Sequence, residues 1–170
     1  MKKNWNYKSY KYRFLNFRDN GEEVEEFLKA NHKYICWQDD LEIDEISSKD
    51  TFYPELPKGK RIEDKYLIGI YENKKIICIF DILKNFPEDE TWMIGLMLLD
   101  ENLRGKGLAT ELYNEIERYL IKHSVKKIRI GVLDKNSRGK AFWEKSGFKR
   151  VEGEKKYKEI KKVFIYEKIL

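Results

Sequence analysis

Residues 100–116 read DENLRGKGLATELYNEI. Gly105 and Gly107 stand one residue apart, beside Arg104 and Lys106 and directly ahead of an amphipathic run. Glycine enters left-handed backbone that other residues avoid, so such a turn lets several N–H groups converge. The first turn of a helix adds unpaired N–H groups and the positive end of its dipole. Arg104 and Lys106 add charge, and a guanidinium can fork two oxygens. A pyrophosphate fits a cradle of this kind. The same residues also make a solvated turn carrying two cations, and the stretch alone favours neither reading. Two nucleotide motifs fail here. GKGLAT has Thr110 where a dinucleotide fingerprint needs its third glycine, and the turn sits five residues past the preceding strand. A P-loop needs a glycine four residues before Gly-Lys-Ser/Thr, and Ala109-Thr110 cannot replace the Lys-Ser/Thr pair.

A second group lies about thirty residues on, in NSRGKAFWEKSGF (136–148). Asn136 or Ser137 can cap a helix there, and Gly147 suits the position just past its end. Other reactive side chains are sparse. His32 and His123 stand alone. Cys36 and Cys78 lie in the apolar runs YICW and IICIF and read as buried free thiols. No Cys/His set has ligand spacing, so no metal site is expected.

Apolar periodicity supplies the frame for these groups. Leu108, Leu112, Ile116 and Leu120 recur every four residues and predict a helix over 107–122. KYLIGIY (65–71), IICIFDIL (76–83) and TWMIGLMLL (91–99) are near-continuous apolar runs, which predict strands covered on both faces. ENKK is the turn between the first two, and KNFPEDE is a loop before the third. KKIRIGVL (126–133) predicts a further strand with Ile128, Ile130 and Val132 on one face. KVFIYEKIL predicts a last one over about 161–169. Upstream, YKYRFLNF predicts a short strand. DNGEEVEEFLKANH predicts a helix capped by Asp19 or Asn20, with Val24, Phe27 and Leu28 on its inner face. Residues 38–62, acidic and then broken by two prolines, predict a short helix and a loop. The order describes one α/β (α+β) domain over 1–170, a mixed sheet with helices on both faces.

Composition narrows the class. Of the 170 residues, 41% are hydrophobic and 38% charged, the balance of a soluble globular chain rather than a disordered one. The net charge of +5 arises from thirty-five basic and thirty acidic residues, too even a balance to mark a nucleic-acid binder. The most basic stretch, EGEKKYKEIKK, interleaves glutamates, which argues against a nucleic-acid footprint. No apolar run approaches eighteen residues, so no membrane span is expected. The start MKKNWNYKSYKYR lacks the apolar core of a signal peptide, and a cytoplasmic protein is expected.

The two motifs together resemble the GNAT N-acetyltransferase superfamily. Its pattern Arg/Gln-x-x-Gly-x-Gly/Ala follows a fourth strand, and RGKGLA (Arg104 to Ala109) matches each fixed position. VLDKNSRGKAFWEKSGF (132–148) is similar to the family's next strand, its asparagine and its aromatic ahead of Glu-Lys-x-Gly-Phe. The resemblance covers roughly 65–150. It implies a mostly antiparallel central sheet of six or seven strands and acetyl-CoA as cofactor. It implies that the backbone of Met97, Leu98 and Leu99 pairs with the pantetheine amides, a donor near Leu98 stabilising the oxyanion. It places the pyrophosphate on Arg104, Gly105, Lys106, Gly107, Leu108, Ala109 and Thr110, and the cofactor arm on Asn136. The acceptor it implies is an amine, small-molecule or peptide, attacking directly in a ternary complex, by a monomer or homodimer. The acidic loops DDLEIDEISSKD and NFPEDE point to a cationic amine.

One departure bears on catalysis. The family often has a tyrosine at position 143 to protonate the leaving thiolate, and this chain has Trp143, whose N–H donates but is no acid. Trp143 either stabilises the thiolate or packs. Gly139 replaces the family's usual alanine, which loosens the helix and lets the chain approach the cofactor closely. Asp81 and Glu90 are the candidate bases that take the proton of the attacking amine, with Asp89, Asp134 and Tyr157 behind them. The alternative function is a non-catalytic domain that binds or senses CoA.

Overall fold

The computed structural model describes residues 3–157 and 161–170. It begins with a hairpin, β1 (Trp5–Tyr7) and β2 (Tyr10–Phe14). Trp5 stacks on Tyr12 across it, with ring centroids 4.7 Å apart. Three residues are too few to show a period, so the sequence predicts only the second of these strands. The next helix, α1 (Phe17–Ala30), is capped by Asn16, not by Asp19 or Asn20. The Asn16 side chain accepts from the Asp19 N–H, and Asn20 reaches back to accept from the Asn16 N–H at 3.0 Å. Val24, Phe27 and Leu28 are buried as the periodicity predicts.

Beyond Asn31, α2 (His32–Asp39) buries only Ile35, so no apolar stripe announces it in the sequence. The short helix expected within 38–62 is α3 (Ser48–Phe52), and single 3-10 turns stand at Ile43–Glu45 and Ile62–Asp64. The strands β3 (Lys65–Glu72) and β4 (Lys75–Leu83) join through Asn73 and Lys74, both at positive φ (48° and 67°). That is the type I′ geometry that matches strand twist. Then come β5 (Thr91–Leu99), α4 (Leu108–Lys122), β6 (Lys127–Leu133), α5 (Ser137–Lys145), β7 (Lys149–Tyr157) and β8 (Lys161–Ile169).

The strands form one mixed sheet in the order β1-β2-β3-β4-β5-β6-β8-β7, eight strands where the sequence predicts six or seven. The two additions lie at the edges. The strand β7, KRVEGEKKY, has six charged residues of nine, which hides it from an apolar pattern and suits an edge. The sheet is mostly antiparallel, and β5 runs parallel to β6. Their ladder takes four residues of each strand, from Thr91↔Lys127 to Ile94↔Ile130. Lys158, Glu159 and Ile160, part of the basic stretch considered as a nucleic-acid footprint, lie outside the described residues.

The chain divides into two compact units. The first takes Met1–Ile82 with Leu96–Ala109, the second Leu83–Gly95 with Thr110–Leu170. The core of the first gathers Val24, Phe27 and Leu28 with Phe52 around Leu67, Ile79 and Leu98. Strand periodicity then puts Lys65 on the face of Leu67, and Asp81 on the face of Ile79. The second unit buries Leu112, Tyr113, Ile116 and Leu120 of α4 and Ile128, Ile130 and Val132 of β6. Among the described residues no helix is long and apolar enough to cross a membrane.

Candidate active site

The glycine turn is held by the segment before it. Asp100 donates its N–H to the Ile77 carbonyl at 2.9 Å, and its side chain caps a 3-10 turn at Glu101–Leu103. The Glu101 N–H donates to Asn31 Oδ1 at 2.8 Å, and Asn31 is buried. Lys33 pairs with the Glu101 carboxylate at 3.0 Å. The junction of α1 and α2 is thereby fastened to the run that leads into the turn.

Arg104 donates from both Nε and Nη2 to the Leu99 carbonyl, at 3.1 and 2.9 Å. The sequence offers that fork to an anion, whereas the structure turns it back onto the end of β5. Gly105 and Gly107 both have φ of 80°, and a Cβ built on either meets nothing within 4 Å. Lys106 between them is exposed. Leu108, Ala109 and Thr110 form the first turn of α4, where N–H groups have no acceptor within the helix. An open left-handed turn thus meets the positive end of a fifteen-residue helix. Just upstream on β5, Leu98 and Leu99 bury their side chains and Met97 is half-buried.

The two carboxylates lie in different settings. Asp81 on β4 forms an ion pair with Lys65 on β3. Burial pushes its carboxyl above the ordinary value, and the Lys65 charge and hydrogen bond oppose that rise. Glu90 is exposed at positive φ (59°), and its carbonyl accepts from the N–H groups of Lys126 and Lys127 at 2.9 and 3.3 Å. Glu90 therefore anchors the start of β6. Asp89 is exposed in the same loop, Asp134 pairs with Lys140 at 3.4 Å, and Tyr157 ends β7.

In the second unit Asn136 caps α5, its Oδ1 accepting from the Gly139 N–H at 2.8 Å. A Cβ on Gly139 would stand 2.4 Å from Asn136 Nδ2 and 2.7 Å from its Cγ. The glycine makes room for the cap, a more local cause than approach to a cofactor. Helix propensity alone predicts that Gly139→Ala stabilises by up to about 1 kcal/mol. The expected result is the reverse, a loss of about 1 kcal/mol as the cap is displaced, measured by urea denaturation. Trp143 is half-buried and lies edge-on to Tyr113, Phe142 and Phe148, with centroids 5.3, 4.9 and 5.1 Å away.

Sequence reasoning misses one feature of the first unit, a cavity of about 220 Å³ whose lining includes Phe17, Phe52, Tyr53, Ile62, Lys65 and Leu67. The aromatics of TFYPELP are its one visible signal. A larger groove of about 680 Å³ runs along α1 past Asp19, Glu22, Glu25 and Glu26 to Ser48.

Comparison with known proteins bears on this geometry. No curated protein sequence matches the chain. Solved structures match along almost its whole length. An acetyltransferase from Thermus thermophilus superposes with a TM-score of 0.75 at 15% identity, covering 95% of this chain and 97% of that one. The PaiA N-acetyltransferase from Thermoplasma acidophilum, in complex with coenzyme A, has a TM-score of 0.71 at 19% identity and covers 95% and 99%. At such identities the likeness is one of fold. The acetyltransferase (GNAT) family matches residues 21–148, a span that holds the glycine turn, Asn136 and Trp143. The chain belongs to the GNAT family of acetyltransferases.

Proposed function

We propose that the chain is an N-acetyltransferase that moves the acetyl group of acetyl-CoA to a primary amine by direct attack, and that residues 1–170 work as one domain. The observation that carries this is the turn at 104–107. Gly105 and Gly107 leave open space where any side chain would stand, at the start of α4. That open turn, with Lys106 exposed between the glycines, suits a pyrophosphate.

On this reading the N–H groups of 105–110 hold the pyrophosphate and Lys106 adds charge. The backbone of Met97, Leu98 and Leu99 pairs with the pantetheine amides, and an N–H near Leu98 faces the thioester carbonyl. Bound acetyl-CoA supplies an activated acetyl group, whose C–S bond is exchanged for a C–N bond as the sulfur leaves with a proton. Asp81 takes the proton that the acceptor's ammonium must lose before its lone pair can attack. Burial strengthens that carboxylate as a base. It shares a strand with Ile79, which packs in one cluster with Leu98. Glu90 is exposed, and among the described residues its bonds to the start of β6 use the backbone carbonyl alone.

Trp143 we assign to packing. Trp143→Phe should leave kcat within about threefold and cost about 1 kcal/mol of stability, the worth of one aromatic contact. A tenfold fall in kcat would show instead that the indole N–H acts on the departing thiolate. The reaction itself is tested by thiol release from acetyl-CoA across a panel of amines. Thiol release that tracks an amine, with the N-acetyl product found by mass spectrometry, supports the reading. Tight coenzyme A binding with no release from any amine makes the chain a CoA-binding domain without catalysis.

A further inference from the structure

We infer that Arg104 is a positioning residue: its side chain closes the link between β5 and the glycine turn, and the anion is left to the turn itself. This rests on the acetyltransferase reading above. A guanidinium is a planar fork with Nε and Nη2 along one edge. In Arg104 both donate to a single acceptor, the Leu99 carbonyl, at 3.1 and 2.9 Å. That edge is one that would otherwise clasp two phosphate oxygens. Arg104 is half-buried, whereas Gly105, Lys106 and Gly107 after it are exposed. Its charge is also felt on β4, where burial pushes the Cys78 thiol up and Arg104 opposes that rise. The guanidinium is therefore turned toward the strands, and Lys106 is the cation at the turn.

The backbone shows where that side chain is needed. The N–H groups of Asp100, Glu101, Asn102 and Leu103 donate in turn to the Ile77 carbonyl, Asn31 Oδ1, Asp100 Oδ1 and the Asp100 carbonyl, at 2.9, 2.8, 2.9 and 3.0 Å. Asn31 is itself fixed, since its Nδ2 donates to the Phe27 carbonyl at 2.9 Å. At Arg104 this hold weakens. Its own N–H reaches the Glu101 carbonyl only at 3.5 Å, beyond the ordinary range of such a bond. The side chain takes over there, and its return to Leu99 makes 99–104 a closed loop. The two ends of that loop carry the two parts assigned to the cofactor. Before it stands the backbone of Met97, Leu98 and Leu99, and after it stand the N–H groups of 105–110. Holding their offset in advance spares binding the cost of ordering the turn.

The test separates a donor from a charge. Arg104→Gln puts an uncharged donor, Nε2, at the place along the side chain where Nε stood. Arg104→Met puts a methyl group there and has no donor. Coenzyme A is titrated calorimetrically into the parent and both variants at low and high salt, with circular dichroism to check the fold. The Gln variant should bind within about threefold of the parent and the Met variant at least about tenfold more weakly, the order of one hydrogen bond to a charged group. Salt should weaken binding by the same factor in parent and variants, because the guanidinium does not face the anion. Equal losses in the Gln and Met variants, or a parent more sensitive to salt than the Gln variant, make Arg104 an anion ligand and overturn the inference. So does a Met variant that binds like the parent. If the Met variant does not fold, the salt comparison between parent and Gln variant decides. A parent that binds no coenzyme A overturns the cofactor site and the inference together. The expected ranking with no thiol release from any amine supports the inference while overturning the acetyltransferase reading.

Discussion

Gly107→Val should raise the dissociation constant of coenzyme A about a hundredfold while the fold stands, read by calorimetry and circular dichroism. Valine does not settle at a φ of 80°, so the turn must move. Nothing lies within 4 Å of its Cβ, so the added side chain itself displaces no packing. Losing two charge-assisted N–H contacts to a pyrophosphate accounts for the hundredfold. Lys106→Ala is the milder companion. It removes an exposed charge worth under about 1 kcal/mol, and affinity should fall by less than about fivefold. If the valine variant binds coenzyme A like the parent, the cradle lies elsewhere.

Asp81→Asn should lower kcat by about 10² to 10⁴, the usual worth of a general base. Asparagine keeps the shape, and its Oδ1 can still accept from Lys65, so the ion-pair site stays filled. The pH dependence gives a sharper readout. Burial raises the Asp81 carboxyl above the ordinary aspartate value of about 3.9, against the pull of Lys65. The folded carboxyl therefore holds its proton to higher pH than a free one. A base acts only when ionised, so kcat of the parent enzyme falls as pH drops through that raised value. The Asn variant should show a low, flat rate on that side. A parent-like kcat with the same acid limb would remove Asp81 from the mechanism.

The parts of the fold legible in the sequence are those where burial writes a period. The helix α4 shows its leucine stripe, and β3, β4 and β5 are apolar on both faces. Elements that bury little leave no such mark. The strand β1 is three residues long, α2 buries Ile35 alone, and β7 is charged because it is an edge. The cap of α1 escapes sequence reasoning because Asn16, like Asp19 and Asn20, is a residue type that caps helices, and only backbone geometry chooses among them. The site divides the same way. The glycine turn is a local device, written in the consecutive residues RGKGLA. The pairing of Lys65 with Asp81 joins two strands, so no local pattern contains it. The cavity beside it draws on α1, α3 and β3, and only folding assembles it.

The contact between Asn136 and Gly139 has a consequence for how this chain can evolve. The two positions form one unit of selection. In this chain a Cβ at 139 stands against the Asn136 amide, so alanine there should be better tolerated when 136 carries a shorter cap. A double-mutant cycle with Asn136→Ser and Gly139→Ala should return a coupling free energy of about 1 kcal/mol in favour of the pair. A helix that scores as weakened by its glycine is, in this chain, kept in register by it.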